Sequence, residues 1–140
     1  MKISKILNGL DFEDTQNLRK TGTITIPEDV DIIGTHAFAY LYNLNEIEIP
    51  QNIKQISTEA FLGCNNLKTI KFCNAPFLEN NAFSYCNQVE KLIFSVDFTK
   101  ALDYTPVLID QYIKALKQNF PNCKVEFENS SYTLDEPENE

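Results

Sequence analysis

Four short apolar segments constrain this chain more than anything else in it. Ile24-Thr-Ile-Pro27, Ile47-Glu-Ile-Pro50, Ile70-Lys-Phe-Cys73 and Leu92-Ile-Phe-Ser95 follow one another at spacings of 23, 23 and 22 residues. The pairs Ala37-Phe38, Ala60-Phe61 and Ala82-Phe83 recur at 23 and 22, as do Leu44, Leu67 and Val89. A fixed period in the twenties means that one structural unit is stacked on copies of itself, each burying a face that it could not bury alone. Within the unit, Ile24 and Ile26 alternate with Thr23 and Thr25, the pattern of a strand with one buried side. Pro27 ends that strand because it has no N–H to donate. Val30 and Ile33 predict a second short extended stretch, and Gly34 a bend. Ala37-Phe38 predicts a helical turn in which a small residue permits close approach and a large one fills the centre. Equivalent residues of stacked units lie about 4.8 Å apart, so Phe38, Phe61 and Phe83 are expected to form one internal stack.

The unit I-x-I-P-x-x-V-x-x-I-G-x-x-A-F-x-x-C-x-x-L resembles the BspA-like leucine-rich repeat, a variant found in bacterial surface proteins and some protozoa. Ile26-Pro27, Ile33-Gly34, Ala37-Phe38, Ile49-Pro50 and Ala60-Phe61-Leu-Gly-Cys64 carry the resemblance, which covers residues 23–95. Ser57 and Glu79 stand where Gly34 does, Leu41 where the cysteine is usual, and Cys73 in place of proline. The resemblance implies an α/β solenoid of three to four turns, a leucine-rich repeat with short parallel strands and helical turns. It also implies an adhesion or recognition module without catalysis, often secreted.

The ends depart from the period. In residues 2–10, Ile3, Ile6, Leu7 and Leu10 fall at helical spacing, with Asn8-Gly9 interrupting them, which predicts a short helix or turn. Residues 11–21 are polar apart from Phe12 and Leu18 and are expected to help cover the first open sheet edge. After Phe94 the repeat stops. Thr105-Pro106 reads as an N-cap with proline at the first helical position, and Val107, Leu108, Tyr112, Ile113, Leu116 and Phe120 give the following helix an apolar face. Pro121-Asn122 stops it, and Cys123 to Phe127 alternates as a last strand, so that a helix and a strand cap the C-terminal end. The expected organisation is a single domain over 1–127, with an N-terminal cap (1–22), repeats (23–95) and a C-terminal cap (96–127). An acidic, disordered tail (128–140) follows.

Charge follows the same division. The net charge of −8 lies mainly in the last fifteen residues, which carry six carboxylates and no cation. The near-neutral body lacks the basic footprint of direct nucleic-acid binding. No run of about 18 apolar residues offers a membrane span, and the N-terminus lacks a secretory apolar core. The chain as written therefore reads as cytoplasmic, or as secreted or surface-bound if it is a trimmed module. The one histidine, His36, occupies a variable repeat position shared with Glu59 and Asn81, and reads as a solvated turn residue. Cys64, Cys73, Cys86 and Cys123 include no C-x-x-C pair, which argues against zinc. Cys64 and Cys86 sit at equivalent positions of adjacent units, within reach of a disulfide, but read first as small buried hydrophobes. Asn129-Ser-Ser131 is a glycosylation sequon, expected to be silent without a secretory signal. No catalytic residues, cofactor or metal ligands emerge.

The candidate site residues are therefore binding residues. The outward strand positions form two columns, Thr23-Glu46-Thr69-Lys91 and Thr25-Glu48-Lys71-Ile93, in which Glu46, Glu48, Lys71 and Lys91 are the charged candidates. A second group is Tyr40 and Tyr85, which share a column with Gly63, together with Tyr42. Tyrosine is favoured at interface anchors, although Tyr40 and Tyr85 could simply pack over the Gly63 gap. The leading reading is a non-enzymatic module that recognises a protein partner through one exposed face. The alternatives are a small acidic inhibitor, of phage or mobile-element type, that blocks a basic nucleic-acid-binding protein, and a surface adhesion module cut from a longer secreted protein.

Overall fold

The computed structural model describes residues 4–103 and 105–128. Its elements run β1 (Ile6–Leu7), α1 (Phe12–Thr21), β2 (Ile32–Ile33), β3 (Glu46–Ile49), β4 (Gln55–Ile56), β5 (Thr69–Phe72), β6 (Phe77–Leu78), β7 (Lys91–Ser95), α2 (Phe98–Ala101), α3 (Pro106–Asn119) and β8 (Lys124–Glu128). Two four-stranded parallel sheets result, one ordered β1-β2-β4-β6 and the other β3-β5-β7-β8. The registers carry the sequence period into space. Ile33 pairs with Ile56 and Ile56 with Leu78 in the first sheet; Ile47 pairs with Ile70 and Ile70 with Leu92 in the second.

The core lies between the sheets. Phe38, Phe61 and Phe83 stack as expected, with ring centroids 5.1 and 4.7 Å apart, and Phe120 from the end of α3 extends the column at 4.8 Å. A second column was not anticipated: Phe72 stacks on Phe94 at 4.7 Å, and Phe98 and Phe127 close it. Removing such a ring from water is worth about 1.5–3 kcal/mol, so the two columns supply much of the drive to stack turn upon turn. Polar side chains tie each turn to the preceding one. Asn52 Nδ2 donates to the carbonyls of Pro27 (3.0 Å) and Val30 (2.6 Å), and Asn74 to that of Gln51 (3.2 Å). The thiols of Cys64 and Cys86 donate to the carbonyls of Phe38 and Phe61, both at 3.0 Å. The cysteine position is thus a weak-donor position as well as an apolar one. Cys64 and Cys86 are free thiols, and the neighbouring Cys64 thiol together with burial pushes Cys86 up.

Several expectations are corrected. Ile6-Leu7 is a strand rather than part of a helix or turn, because pairing with Ile32-Ile33 satisfies the backbone of an otherwise open edge. Asp31, itself buried, accepts from Lys5 N–H at 2.9 Å and holds that strand in place. Residues 12–21 form a true helix with a reciprocal capping box between Asp11 and Asp14 and a left-handed Gly22 at its end, and Leu18 anchors it in the core. Thr23 to Ile26 keeps the alternation, with Ile24 and Ile26 buried, but forms no ladder with β3. It is held at its ends instead, where Gly22 O accepts from Asn45 and Asn52 reaches Pro27.

Gly34 does not need a left-handed bend. A Cβ there would stand 2.8 Å from Asn8 Oδ1 and 2.9 Å from Ile6 Cγ2, so glycine is required by the close approach of β1. The turns are not helical either. His36, Glu59 and Asn81 take φ of 62, 58 and 65°, and Tyr40, Gly63 and Tyr85 take 59, 72 and 61°. Two left-handed residues four apart break any right-handed helix, and the N–H groups they turn sideways bond to the next unit: Tyr40 N to Leu62 O, Gly63 N to Ser84 O. Thr105 does occupy the N-cap of α3, but its hydroxyl donates to Asp103 O rather than capping, while Pro106 is at the first helical position. The sequon and the acidic residues from Asp135 onward lie outside the described residues.

Candidate recognition surface

Alternation along β3, β5, β7 and β8 turns every second side chain away from the core. In-register pairing then aligns Glu46, Thr69, Lys91 and Lys124 in one row and Glu48, Lys71, Ile93 and Glu126 in the next. These rows and the outward residues of the first turn border an open groove of about 580 Å³, which Thr25, Glu28, Glu46, Glu48, Thr69 and Lys71 help to line. Lys91 stands beside the groove, outside its lining.

The face is polarised. Glu28, Glu46 and Glu48 place three carboxylates at the end nearest the first turn, where Lys71 reaches Glu48 at 3.6 Å. At the other end Glu126 receives both Lys91 (3.2 Å) and Lys124 (3.7 Å). Pairs this exposed contribute little to stability, about 0–1 kcal/mol each, so their residues are available to a partner at small cost. Cys73 lies near the acidic end, where burial and the Glu48 carboxylate raise its thiol above the ordinary range.

The tyrosines lie elsewhere. None of Tyr40, Tyr42 and Tyr85 lines the groove; they stand on the turns, 56%, 54% and 72% exposed. Tyr40 and Tyr42 have ring centroids 6.4 Å apart. The Tyr40 ring lies over Gly63, where an added Cβ would be 2.6 Å from Tyr40 Cδ1, so this tyrosine does pack over the glycine gap. Tyr42 faces a polar depression with Arg19, Asn45 and Asn66, and Tyr85 faces the end of α3. The seven candidates thus fall into a charged sheet face and a separate set of turn tyrosines.

Sequence reasoning treated the column of His36, Glu59 and Asn81 as merely variable. Its left-handed backbone was signalled by Asn81, and that of the other column by Gly63, since glycine and asparagine are the residues that accept it most readily. His36 is exposed and meets Glu59 Oε1 at 3.1 Å. No group of three or more His, Cys, Asp or Glu among the described residues is placed to hold a metal ion. The buried side-chain atoms without a hydrogen-bond partner among the described residues are Tyr112 Oη and Asn119 Oδ1, and burial raises the Tyr112 phenol. No described helix is long and apolar enough to cross a membrane.

The family model described as the BspA type leucine rich repeat region matches residues 6–105 in six copies. The match begins at β1, ahead of the 23–95 span in which the repeat is legible by eye, and β1 does enter the first sheet in register. No curated protein and no solved structure matches the chain.

Proposed function

Because the chain belongs to the BspA-type leucine-rich repeat family, we propose that it is a non-enzymatic recognition module that holds a protein partner against the outer face of its second sheet. Repeats of this family often serve in protein interaction or adhesion. The described residues of 1–22 and 96–127 act as caps that close the two ends of a short solenoid, leaving its faces as the usable surface. The observation that carries the reading is the groove of about 580 Å³ across the turns, bordered by outward side chains that the core does not need. Glu46, Glu48, Lys71 and Lys91 provide the charged contacts, and Tyr40, Tyr42 and Tyr85 form a separate, secondary set.

The test is affinity capture from the source organism's lysate with the intact chain and two variants. Glu46→Lys with Glu48→Lys reverses the groove's acidic end, and Tyr40→Ala with Tyr42→Ala strips the turn. A specific partner that is lost on charge reversal and kept by the tyrosine variant supports the sheet face. Loss of the partner only with the tyrosine variant moves recognition to the turns. Capture of no specific partner by a normally folded chain defeats the proposal.

A second reading is favoured by the six carboxylates among the last fifteen residues. In it the acidic tail blocks a basic, nucleic-acid-binding protein. Neutralising Asp135, Glu136, Glu138 and Glu140 to their amides abolishes capture under this reading, and salt weakens it steeply. Under the sheet-face reading the same change leaves capture intact.

A further inference from the structure

Where the third turn meets the end of α3, the chain forms a cleft of about 280 Å³. Its walls include Asn81, Tyr85 and Asn87 from the turn and Gln118, Asn119 and Asn122 from the helix end and the loop that follows. None of its lining residues is an acid, a lysine or an arginine, so an ionic ligand would find no counter-charge there. An amide side chain supplies two donors and an acceptor that takes two bonds, which is the complement a hydroxyl group needs, since it both donates and accepts.

Four of the amides at this cleft are exposed and uncommitted, unlike those that tie the turns together. Asn52, Asn66 and Asn74 are committed to backbone carbonyls of the preceding turn. The side chains of Asn81, Asn87, Gln118 and Asn122 make no hydrogen bond to another described residue. Asn119 donates through Nδ2 to Ala115 O at 3.0 Å, yet its Oδ1 is buried without a donor.

Tyr85 supplies the remaining component. Its ring is 72% exposed on a backbone with φ of 61°, a conformation that the equivalent Gly63 adopts without steric cost. The ring is kept there against the preference of the backbone. It offers a flat apolar face beside a ring of uncharged donors and acceptors.

We propose that this cleft binds a neutral saccharide unit, its hydroxyls bonded by the amides of Asn81, Asn87, Gln118 and Asn122 and its ring face resting on Tyr85. The site shares Tyr85 with the turn tyrosines of the protein-recognition reading but no residue with its groove, so the sheet-face reading and this one can fail separately.

The test is a titration of the intact, ¹⁵N-labelled chain with glucose, galactose, mannose and N-acetylglucosamine, each followed by NMR through the side-chain amide resonances. At least one sugar shifts the four amides saturably in the millimolar range. Tyr85→Gly suits the left-handed backbone, so it keeps the fold, and it weakens that sugar about threefold to tenfold by removing the ring contact. Its unfolding midpoint, unchanged or raised, shows that the loss is local. The proposal is overturned if no sugar gives a saturable shift, if the shifts map away from these amides, or if Tyr85→Gly binds as well as the parent.

Discussion

Phe61→Ala tests the architecture at its centre. The Phe61 ring has no exposed surface and lies between Phe38 at 5.1 Å and Phe83 at 4.7 Å, nearly parallel to the latter. Truncation keeps the backbone bonds that cross this level, Phe38 N to Ala60 O and Phe61 N to Ala82 O. What is lost is the transfer of one ring from water, two ring contacts and the filling of the space between them. Backbone bonds on both sides of the gap prevent its walls from closing, which places the cost toward the upper part of the usual range, about 3–5 kcal/mol. A domain of this size has only about 5–15 kcal/mol of stability, so the variant sits close to its threshold. In urea, with a slope of about 2 kcal/mol per molar, a loss of about 4 kcal/mol moves the midpoint down by about 2 M. The control is Phe77→Ala, whose ring is 62% exposed and whose loss falls within about 0.5 kcal/mol. Circular dichroism along both titrations measures the difference. If Phe61→Ala loses less than about 1 kcal/mol, or Phe77→Ala loses as much as Phe61→Ala, the stacked-ring core is wrong.

Gly63→Ala loses about 1–2 kcal/mol to its left-handed backbone, and more because the new Cβ meets Tyr40; adding Tyr40→Ala recovers the second part only, as calorimetric melting of the single and double variants shows. Asp31→Ala removes the acceptor for Lys5 N–H, lowers stability by about 1–3 kcal/mol and speeds hydrogen exchange at Gly34, whose N–H is held by Leu7 O. Burial raises the thiols of Cys73 and Cys123, so both react with iodoacetamide at mildly alkaline pH more slowly in the native chain than in the urea-unfolded one; equal rates refute their placement. The sign for stability follows: these thiols favour the folded state fully below the ordinary thiol pKa, and that contribution is lost as pH rises through their raised values.

The legible part of the fold was the part written in a local period. Ile47, Ile49, Ile70 and Leu92 announce their strands because each alternates with an outward residue, and Phe38, Phe61 and Phe83 announce their stack because all three come from equivalent positions. Contacts between unlike positions were not announced. Phe120 completes the first ring column from a helix that shares no period with the repeats, and Phe98 and Phe127 close the second in the same way. Ile6 and Leu7 show why spacing alone misleads at an end. Their separation from Ile3 and Leu10 fits a helix, yet a bare strand at Ile32-Ile33 makes pairing the better use of their backbone. Thr23 to Ile26 fails in the opposite sense, with the right alternation and no ladder. For the sheet face, register was enough to align Glu46, Glu48, Lys71 and Lys91. The amide cleft was beyond reach, since half of its residues come from after the repeats.

The bonds that join the first turn to the second recur between the second and the third: an asparagine amide, a cysteine thiol and a left-handed N–H, each reaching a carbonyl of its neighbour. A molecule assembled this way changes length by whole turns. Duplication of one 23-residue unit in the middle would reproduce every bond it interrupts and widen the groove by about 4.8 Å. A single inserted residue between Glu59 and Cys64 would instead throw the glycine, the ring and the thiol out of their columns together. The one-residue shortening of the third unit falls between Cys73 and Leu78, and β6 still pairs with β4 in register. Gene duplication in steps of a full turn is therefore the inexpensive path by which a chain of this design acquires a wider surface, and single-residue length changes are confined to that one loop.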